Sequence, residues 1–376
     1  MTNDLICFSH LRWNFVYQRP QHLISRFAET ARVFYIEEPR NTAIPDTLHI
    51  QIDPATGVHV VTPELEEGEW PGTFTQRVKK LLDQLMEMYH ISDFISWYYA
   101  PMAMAYTAHL KPKAMIYDCM DELSAFKFAP PELIHFERLL LSKADLVFTG
   151  GHRLFEAKKH LHNNIHAFPS AIDKNFFFPA RTKLTEPPDQ YHIPHPRLGF
   201  FGVIDERFDI ELAREMAALK PGWQFIFIGP VVKINPADLP VADNIHYLGM
   251  KNYKELPSYI SGWDVCIMPF AINASTEFIS PTKTPEFLAA GKRVISTKIH
   301  DVVYPYGEKG LVGIAQDAES FIRIAEKYLD DKNTGQWLNE VDEFLSGISW
   351  DKTWHDMESK VCEVIRMQKE AEKQLK

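Results

Sequence analysis

The sequence predicts an α/β protein built from two doubly wound, Rossmann-like domains that face each other across a cleft. Short apolar runs alternate with helical patterns from residue 5 to residue 168, the order typical of a doubly wound sheet. A second alternation of the same kind begins at Arg197. Between the two, residues 171–196 break the pattern with five prolines, which is typical of a linker. A chain of 376 residues is also longer than one ordinary core.

In the first domain, strands are predicted where apolar and β-branched residues form short runs, and helices where apolar residues recur every three or four positions. The predicted strands are 5–9, 32–37, 48–52, 58–62, 93–99, 114–118, 145–149 and 165–168. The predicted helices are 20–30, 74–90, 132–142 and one that follows Gly150-Gly151.

The second domain follows the same rules. Its predicted strands are 198–204, 223–228, 244–248, 264–268, 293–297 and 310–314. Its predicted helices are 210–219, 253–261, 318–329, 334–344 and 350–376, besides one that opens within the stretch 280–297. We expect a first domain over 1–172, a linker over 173–196, a second domain over 197–349 and a C-terminal helix over 350–376.

Composition limits the classes of partner and compartment. The formal net charge of −10 argues against nucleic acid, because phosphate backbones need clustered basic surface. The four cysteines are far apart and form no C-x-x-C pair, so neither a zinc site nor a disulfide framework is indicated. The sequence shows neither a signal-peptide pattern nor an apolar run of about 18 residues. We therefore expect a cytoplasmic protein.

The stretch 280–297 carries the strongest candidate binding site. Ser280 precedes a short predicted helix on which Thr282, Lys283 and Glu286 share one face, since they lie three or four residues apart. The N–H groups at a helix start, a hydroxyl and a lysine suit a diphosphate. Glu286 follows one turn later, where a carboxylate can accept from ribose hydroxyls. The alternative, a solvated Lys–Glu pair on a surface helix, remains open at this point.

The same stretch leaves its helix start ambiguous. Ser280 as N-cap and Pro281 at the first helical position place Pro285 where it removes a hydrogen bond. The helix therefore begins either near Pro281 or at Thr284, with residues 280–283 as a preceding turn. Gly291 is the predicted stop in both cases.

Other candidates lie where the predicted strands of the second domain end, because open α/β sheets bind ligands outside the carboxyl ends of their strands. Gly202 would let the backbone approach a ligand closely. Arg207 could bind a phosphate in fork geometry, or it could be a surface arginine beside Asp205 and Glu206.

The first domain offers an acidic group at a strand end. Asp118 and Asp121 lie in the densest acidic cluster at any predicted strand end. A carboxylate there could take a proton from an acceptor hydroxyl, and neighbouring carboxylates raise one another's pKa. A capping aspartate in a solvated turn is the alternative. With a cleft implied, Asp121 is the preferred general base and Asp118 the second choice.

An aromatic and basic loop follows the first strand. It contains His10 and Trp13, and Arg19 lies at the start of the next helix. Such a loop over a cleft suits a sugar or a lipid-linked acceptor, although aromatic residues packed on their own domain would give the same pattern. The loop contains no glycine, so the G-x-G-x-x-G dinucleotide fingerprint is absent. The helix over 74–90 is amphipathic and either packs on the sheet or makes a peripheral membrane contact.

The Ser-Pro-x-Lys-x-x-Glu-x-Leu-Ala-x-Gly-Lys-x-Val pattern at 280–294 resembles the donor-binding segment of bacterial glycosyltransferases with the GT-B fold. The segments 6–10, 18–23 and 117–121 resemble the subgroup of teichuronic acid biosynthesis glycosyltransferases. The similarity runs over nearly the whole chain, including the start of the linker and the region of Trp350.

The resemblance implies transfer of a sugar from a nucleoside diphosphate sugar, often a UDP-sugar, to a hydroxyl. Glu286 would hold the ribose, Lys283 and Thr282 the diphosphate, and the backbone of Gly249 and Met250 the base. The C-terminal helix would cross back onto the first domain. Neither a metal nor another cofactor would be needed, because basic residues and the helix dipole neutralise the leaving diphosphate.

The sequence departs from that family at one position that matters. Many retaining members carry two glutamates with seven residues between them, and Phe278 stands where the first would be. Glu277 lies one residue away from that position. The residue that binds the donor sugar, and the choice between retention and inversion, are therefore left open.

The leading hypothesis is a metal-independent hexosyltransferase of surface polysaccharide or glycoconjugate synthesis, with a glycan or lipid-linked acceptor. It would act in the cytoplasm or at the inner face of the membrane. A sugar-nucleotide epimerase on the same fold is one alternative, and it would need no acceptor. A non-catalytic partner that binds a nucleotide sugar is the other.

Overall fold

A computed structural model describes residues 4–68 and 72–374. The described residues form two α/β domains, each built on a largely parallel sheet, as the alternation of strand and helix patterns predicts. The end of the predicted C-terminal helix, residues 375–376, lies outside the described residues. None of the helices in the described ranges is both long and apolar enough to cross a membrane.

The first sheet occupies the N-terminal part of the chain. Its strands are β1 (Asp4–Ser9), β2 (Arg32–Glu37), β3 (Arg40–Thr42), β4 (Thr47–Ile52), β5 (His59–Glu66), β6 (Phe94–Tyr98), β7 (Ala114–Cys119), β8 (Leu146–Thr149) and β9 (Ile165–Ala167). They follow the order β3-β5-β2-β1-β6-β7-β8-β9, and β4 pairs antiparallel with β5. The prediction missed β3, because this short and polar strand has no apolar alternation.

The second sheet is parallel throughout. Its strands are β10 (Arg197–Phe201), β11 (Gln224–Ile228), β12 (Ile245–Gly249), β13 (Val265–Met268), β14 (Arg293–Thr297) and β15 (Gly313–Ala315). The order β12-β11-β10-β13-β14-β15 reverses direction beside β10, the kind of switch point at which α/β sheets bind ligands. Its central strands β10, β11 and β13 are buried along their whole length, as expected for a sheet covered on both faces.

Helices connect the strands and cover the sheets. They are α1 (Arg19–Phe27), α2 (Phe74–Met88), α3 (Met104–Thr107), α4 (Leu133–Lys143), α5 (His152–Lys158), α6 (Lys174–Phe177), α7 (Ile210–Leu219), α8 (Leu256–Ser261), α9 (Lys283–Ala289), α10 (His300–Val302), α11 (Ala318–Asp330), α12 (Gly335–Ser346) and α13 (Trp350–Gln374). Short 3₁₀ turns precede or follow several of them.

The apolar stripe of α2 packs on the first sheet. Val78, Leu81, Leu82 and Leu85 are buried in the same core cluster as the residues of β1 and β2. The stripe is therefore used within the domain and is not available for a membrane surface.

The last helix returns to the first domain. Trp350, Met357 and Val361 of α13 are buried together with Leu5 and Cys7 of β1. The described part of the chain thus crosses between the domains twice, once after β9 and once before α13.

Candidate active site

A cavity of about 710 Å³ lies between the two domains, where strands of both sheets end. Most of the predicted site residues line it. They are Trp13, Arg19, Asp121, Gly202, Arg207, Met250, Ser280, Thr282, Lys283 and Glu286. Residues that lie far apart in the sequence thus meet in one space because both sheets present their carboxyl ends to it.

Helix α9 begins at Lys283, with Thr282 as its N-cap residue. Residues 280–282 form the preceding turn, so the true start lies between the two predicted ones. Pro285 is the third helical residue, where an N–H would have no partner inside the helix, and this explains why proline is tolerated there. Gly291 ends the segment with φ +71°, a conformation that glycine adopts readily.

Lys283 lies against the turn that follows β10. Its ammonium is 5.7 Å from the centre of the Phe201 ring. The backbone of Gly202 has φ +146°, and a Cβ at this position would overlap Cε of Lys283. Glycine is favoured here by its backbone angle, and any side chain at this position would also displace the flexible end of Lys283.

Burial lowers the pKa of Lys283, because a low-dielectric setting disfavours the charged ammonium. Glu286 opposes this shift from one turn along the helix. A diphosphate in the cavity would add negative charge beside Lys283 and would favour its protonated form.

Glu286 is 3% exposed and is poorly satisfied within the protein. Its Oε1 accepts a hydrogen bond from the Tyr253 hydroxyl at 3.4 Å, and its Oε2 is buried with no hydrogen-bond partner among the described residues. Burial raises the pKa of Glu286 to about 7, although Lys283 lowers it. A buried carboxylate oxygen without a donor is an open position for a ligand hydroxyl.

Arg207 is held by a neighbouring carboxylate. Its guanidinium donates to both carboxylate oxygens of Asp205, with Nε to Oδ1 at 2.9 Å and Nη2 to Oδ2 at 2.7 Å. The guanidinium also lies 5.2 Å from the ring centre of Phe126, which belongs to the first domain. Arg207 is therefore oriented at the cleft and is not a freely solvated surface arginine.

Asp121 follows β7 and faces the cavity from the first domain. Desolvation raises its pKa to about 6, while Arg207 and Arg19 lower it and Asp205 raises it further. A carboxylate with a pKa close to neutral suits proton transfer at neutral pH. It lies opposite the lysine and arginine of the second domain.

The loop that carries Asp121 rests on a buried charge cluster. Lys158 of α5 forms ion pairs with Glu122 at 2.7 Å and with Glu137 at 2.8 Å, and the Tyr117 hydroxyl also donates to Glu137. These side chains lie behind the loop and fix its path.

The second acidic candidate, Asp118, does not reach the cavity. It is fully buried in β7 and accepts three hydrogen bonds from the guanidinium of Arg19, at 2.9–3.1 Å. Arg19 also donates from Nη1 to the carbonyl of Phe168 at 2.7 Å. The pair joins α1, β7 and the residue that follows β9, and of its two members only Arg19 is among the residues that line the cavity.

Two more predicted residues lie outside the residues that line the cavity. His10 is mostly buried beside Tyr99, and burial together with the charge of Lys233 lowers its pKa to about 4. Gly249 ends β12 with an exposed position, while the next residue, Met250, reaches the cavity. Trp13 lines the cavity but is 7% exposed, with its indole N–H donating to Asp53 at 3.3 Å.

Further aromatic residues line the cavity. Tyr17 and His22 belong to the aromatic and basic region around the start of α1 that the sequence suggests for an acceptor, whereas Phe176 and Tyr253 were not predicted as site residues. Tyr253 could have been found from its place three residues after Met250, because it opens the helical turn that follows a candidate base-binding segment. Phe176 belongs to the run Phe176-Phe177-Phe178, which the sequence suggests as a plug between the domains; Phe177 is buried in the core, and Phe176 packs against it.

Phe278 and Glu277 stand where the family pattern would place a glutamate. Phe278 packs against the core of the first domain, and Glu277 forms an ion pair with Arg153 of that domain at 2.7 Å. Neither residue lines the cavity. This segment contributes to the contact between the domains.

In the described ranges there is no group of three or more His, Cys, Asp or Glu side chains that could hold a metal ion. The positively charged groups of the cavity are supplied by lysine and arginine.

Comparison with known proteins gives this geometry a context. Residues 195–331 match the model of the family "Glycosyl transferases group 1". A Bacillus subtilis (strain 168) protein described as a teichuronic acid biosynthesis glycosyltransferase, TuaH, is 25% identical over 222 residues. That match covers 54% of this chain and 55% of the relative, so only about half of the relative's length is represented.

Solved structures of similar fold cover nearly the whole chain. Sucrose-phosphate synthase from Thermosynechococcus elongatus gives a TM-score of 0.68 at 14% identity, over 97% of this chain and 100% of that one. Anabaena Alr3699/HepE in complex with UDP and glucose gives 0.63 at 13% identity, over 96% and 100%. These likenesses confirm the predicted GT-B fold.

Proposed function

We propose that this chain, whose residues 195–331 form a domain of the glycosyl transferases group 1 family, is a glycosyltransferase that uses a nucleoside diphosphate sugar. The observation that carries the proposal is the meeting of Lys283, Glu286 and Asp121 in one cavity between two domains. Lysine and a buried carboxylate one turn apart suit a nucleoside diphosphate. A carboxylate on the opposite wall suits an acceptor hydroxyl.

Uridine diphosphate is the donor nucleotide that we propose. The comparison structure that contains UDP and glucose, Anabaena Alr3699/HepE, shares the fold of this chain. The relative described as a teichuronic acid biosynthesis glycosyltransferase supports an acceptor that is a glycan or lipid-linked hydroxyl, in surface polysaccharide or glycoconjugate synthesis. The reaction would take place in the cytoplasm or at the inner face of the membrane.

In the proposed reaction, the acceptor oxygen forms a bond to the anomeric carbon while the bond from that carbon to the diphosphate breaks. The acceptor proton passes to the Asp121 carboxylate. Lys283, with the Thr282 hydroxyl and Arg207, stabilises the negative charge that grows on the leaving diphosphate. Glu286 accepts hydrogen bonds from the ribose, which holds the nucleotide in register with Lys283. No metal is assigned a role.

The proposal is tested by incubating the chain with UDP-sugars, alone and with acceptor glycans, while UDP release and products are followed. Acceptor-dependent release of UDP, together with a glycosylated product, is the expected result. Conversion of the donor sugar without any acceptor would instead support an epimerase. Nucleotide binding without turnover on the acceptor panel would support a non-catalytic binding partner.

A further inference from the structure

A column of five aromatic rings runs beside the cavity. Trp350 stacks on His22 with ring centres 4.6 Å apart, and the edge of His22 meets Tyr17 at 4.6 Å. Tyr17 stacks on Tyr253 at 4.7 Å with an interplanar angle of 24°, and Tyr253 stacks on Phe176 at 4.7 Å and 5°. We call these residues the ring column.

The ring column joins every segment that passes between the domains. Phe176 lies in the first crossing, after β9, and Trp350 begins the helix of the second crossing. Tyr17 and His22 belong to the first domain, and Tyr253 belongs to the second. Each stacked pair gains free energy beyond its buried area, so the column favours the arrangement of the domains seen here.

Tyr253 connects the ring column to the candidate nucleotide site through its hydroxyl, which donates to Glu286. Lys283 and Glu286 lie three residues apart on α9, about 4.5 Å along the axis. In the proposed function, Lys283 would contact the diphosphate of a bound nucleotide and Glu286 its ribose. Met250 and Asn252, which precede Tyr253, line the same cavity. The hydrogen bond from Tyr253 thus places the ring column beside Glu286.

We propose that Tyr17, a residue of the first domain, is a nucleotide-binding residue of the donor site that forms the wall of its nucleoside end. This inference rests on the proposed function, because it needs a nucleoside diphosphate in the cavity. Tyr17 is 40% exposed and lines the cavity, so part of its surface is open to a ligand. Aromatic rings can stack on any nucleobase, because every base has a flat π-face.

The consequence is that the two domains share the recognition of one nucleotide. The second domain supplies Lys283 and Glu286, and the first domain supplies a ring that reaches the nucleoside only when Tyr17 lies on Tyr253. Removal of the ring should therefore weaken the binding of a nucleotide but not the binding of an isolated diphosphate.

The test is calorimetric titration of the full chain with UDP and, separately, with inorganic pyrophosphate. Tyr17→Leu removes the ring, Tyr17→Phe keeps it, and Tyr191→Leu is the matched control at a tyrosine that is 62% exposed and not among the residues lining the cavity. For Tyr17→Leu we expect the dissociation constant for UDP to rise roughly three- to tenfold, while that for pyrophosphate stays the same. Tyr17→Phe should recover most of the lost affinity.

Equal losses for UDP and pyrophosphate in Tyr17→Leu would overturn the inference, because they would point to a change in the whole cavity. An unchanged affinity for UDP in the same variant would overturn it as well. If the unmodified chain bound no UDP, the proposed function itself would fail. If the unmodified chain bound UDP and Tyr17→Leu bound it equally well, only the inference about Tyr17 would fail, so the two failures can be told apart.

Discussion

At the scale of single residues, the cavity is lined by ionisable groups, and burial shifts their pKa values. The pKa of Asp121 rises to about 6 and that of Glu286 to about 7, and the pKa of Lys283 falls. Each shift reduces the charge that the empty cavity carries. A bound diphosphate would raise the pKa of Lys283 back toward its usual value and would raise the pKa values of the two carboxyl groups further, which links binding to proton uptake.

Lys283 is the residue on which turnover should depend most strongly. Lys283→Ala removes the ammonium that would face the leaving diphosphate in the proposed reaction, and loss of such a contact costs about 2.7–4 kcal/mol, or roughly 10²–10³ in kcat. Rates of UDP release from a UDP-sugar measure the effect. Lys298→Ala, at an exposed lysine outside the residues lining the cavity, is the control. Equal rates for the two variants would remove Lys283 from the mechanism.

The ionisation of Asp121 should produce the fall of kcat/KM at acidic pH, which we call the acid limb of the pH profile. A general base acts when ionised, and because burial raises its pKa to about 6, kcat/KM should fall about tenfold per pH unit below that value and level off above it. Asp121→Asn should lower the plateau and abolish this limb. The measurement is a pH profile of both proteins with saturating acceptor. A variant that kept the same limb would show that another group, such as Glu286, is responsible for it.

The positive charges in the cavity predict how metal chelators affect the rate of UDP release. Lys283 and Arg207 supply positive charge where a diphosphate would lie, so EDTA should leave the rate of UDP release unchanged within about twofold. The assay compares the untreated protein, the chelated protein and the chelated protein with added Mg²⁺ or Mn²⁺. A loss of turnover that either ion restores would contradict this expectation.

At the scale of elements, the site depends on the turn after β10 and on the start of α9. A side chain at Gly202 would displace the end of the Lys283 side chain. The turn and the helix are adjacent in space because β10 lies beside β13, the strand that precedes α9 along the chain.

Gly202→Ala should therefore harm both stability and nucleotide binding. A left-handed backbone angle and a clash at the same residue should cost about 1–3 kcal/mol of unfolding free energy. Gly222→Ala is the matched control, because a Cβ at that glycine would meet nothing within 4 Å. Urea unfolding and UDP titration of both variants give the comparison. A Gly202→Ala protein that is as stable as the parent and binds UDP with the same affinity would contradict this prediction.

The sequence predicted most elements because their apolar periodicity is strong, as in α2 and in the buried strands of the second sheet. It could not decide the start of α9, because the cost of Pro285 depends on whether the helix has already begun. It also placed Asp118 and His10 among the candidates. Both follow a strand or end one, but only the side-chain packing determines that Asp118 pairs with Arg19 and that His10 does not line the cavity.

At the scale of the whole molecule, direct polar contacts join the domains around the cavity. The carboxylate of Asp301, in the second domain, accepts from the backbone N–H groups of His152 and Arg153 at 2.7 and 3.0 Å, at the start of α5. Ser170 Oγ donates to the carbonyl of Ser280 at 2.5 Å. These pairings could not be predicted from the sequence, because they join segments more than 100 residues apart.

Asp301→Ala should weaken the contact between the domains. Loss of a helix-capping carboxylate costs about 0.5–2 kcal/mol, and the N–H groups at the start of α5 would lose their partner. The midpoint of urea unfolding, with the slope compared to detect loss of two-state behaviour, measures the change. Asp351→Ala, which removes an ion pair with Arg26 at an 82% exposed carboxylate, should cost less. A larger loss of stability in Asp351→Ala than in Asp301→Ala would refute the role of Asp301 in joining the domains.

The central claim is that the cavity between the domains binds a nucleoside diphosphate through the second domain. Calorimetric titration of the purified chain with UDP, GDP and TDP tests it most directly, with Glu286→Gln as the variant. The account predicts one UDP bound per chain and weaker binding by Glu286→Gln, since the amide has one accepting oxygen where the carboxylate has two and carries no charge to strengthen hydrogen bonds from the ribose. Absence of binding by all three nucleotides, or equal binding by the variant, would contradict it.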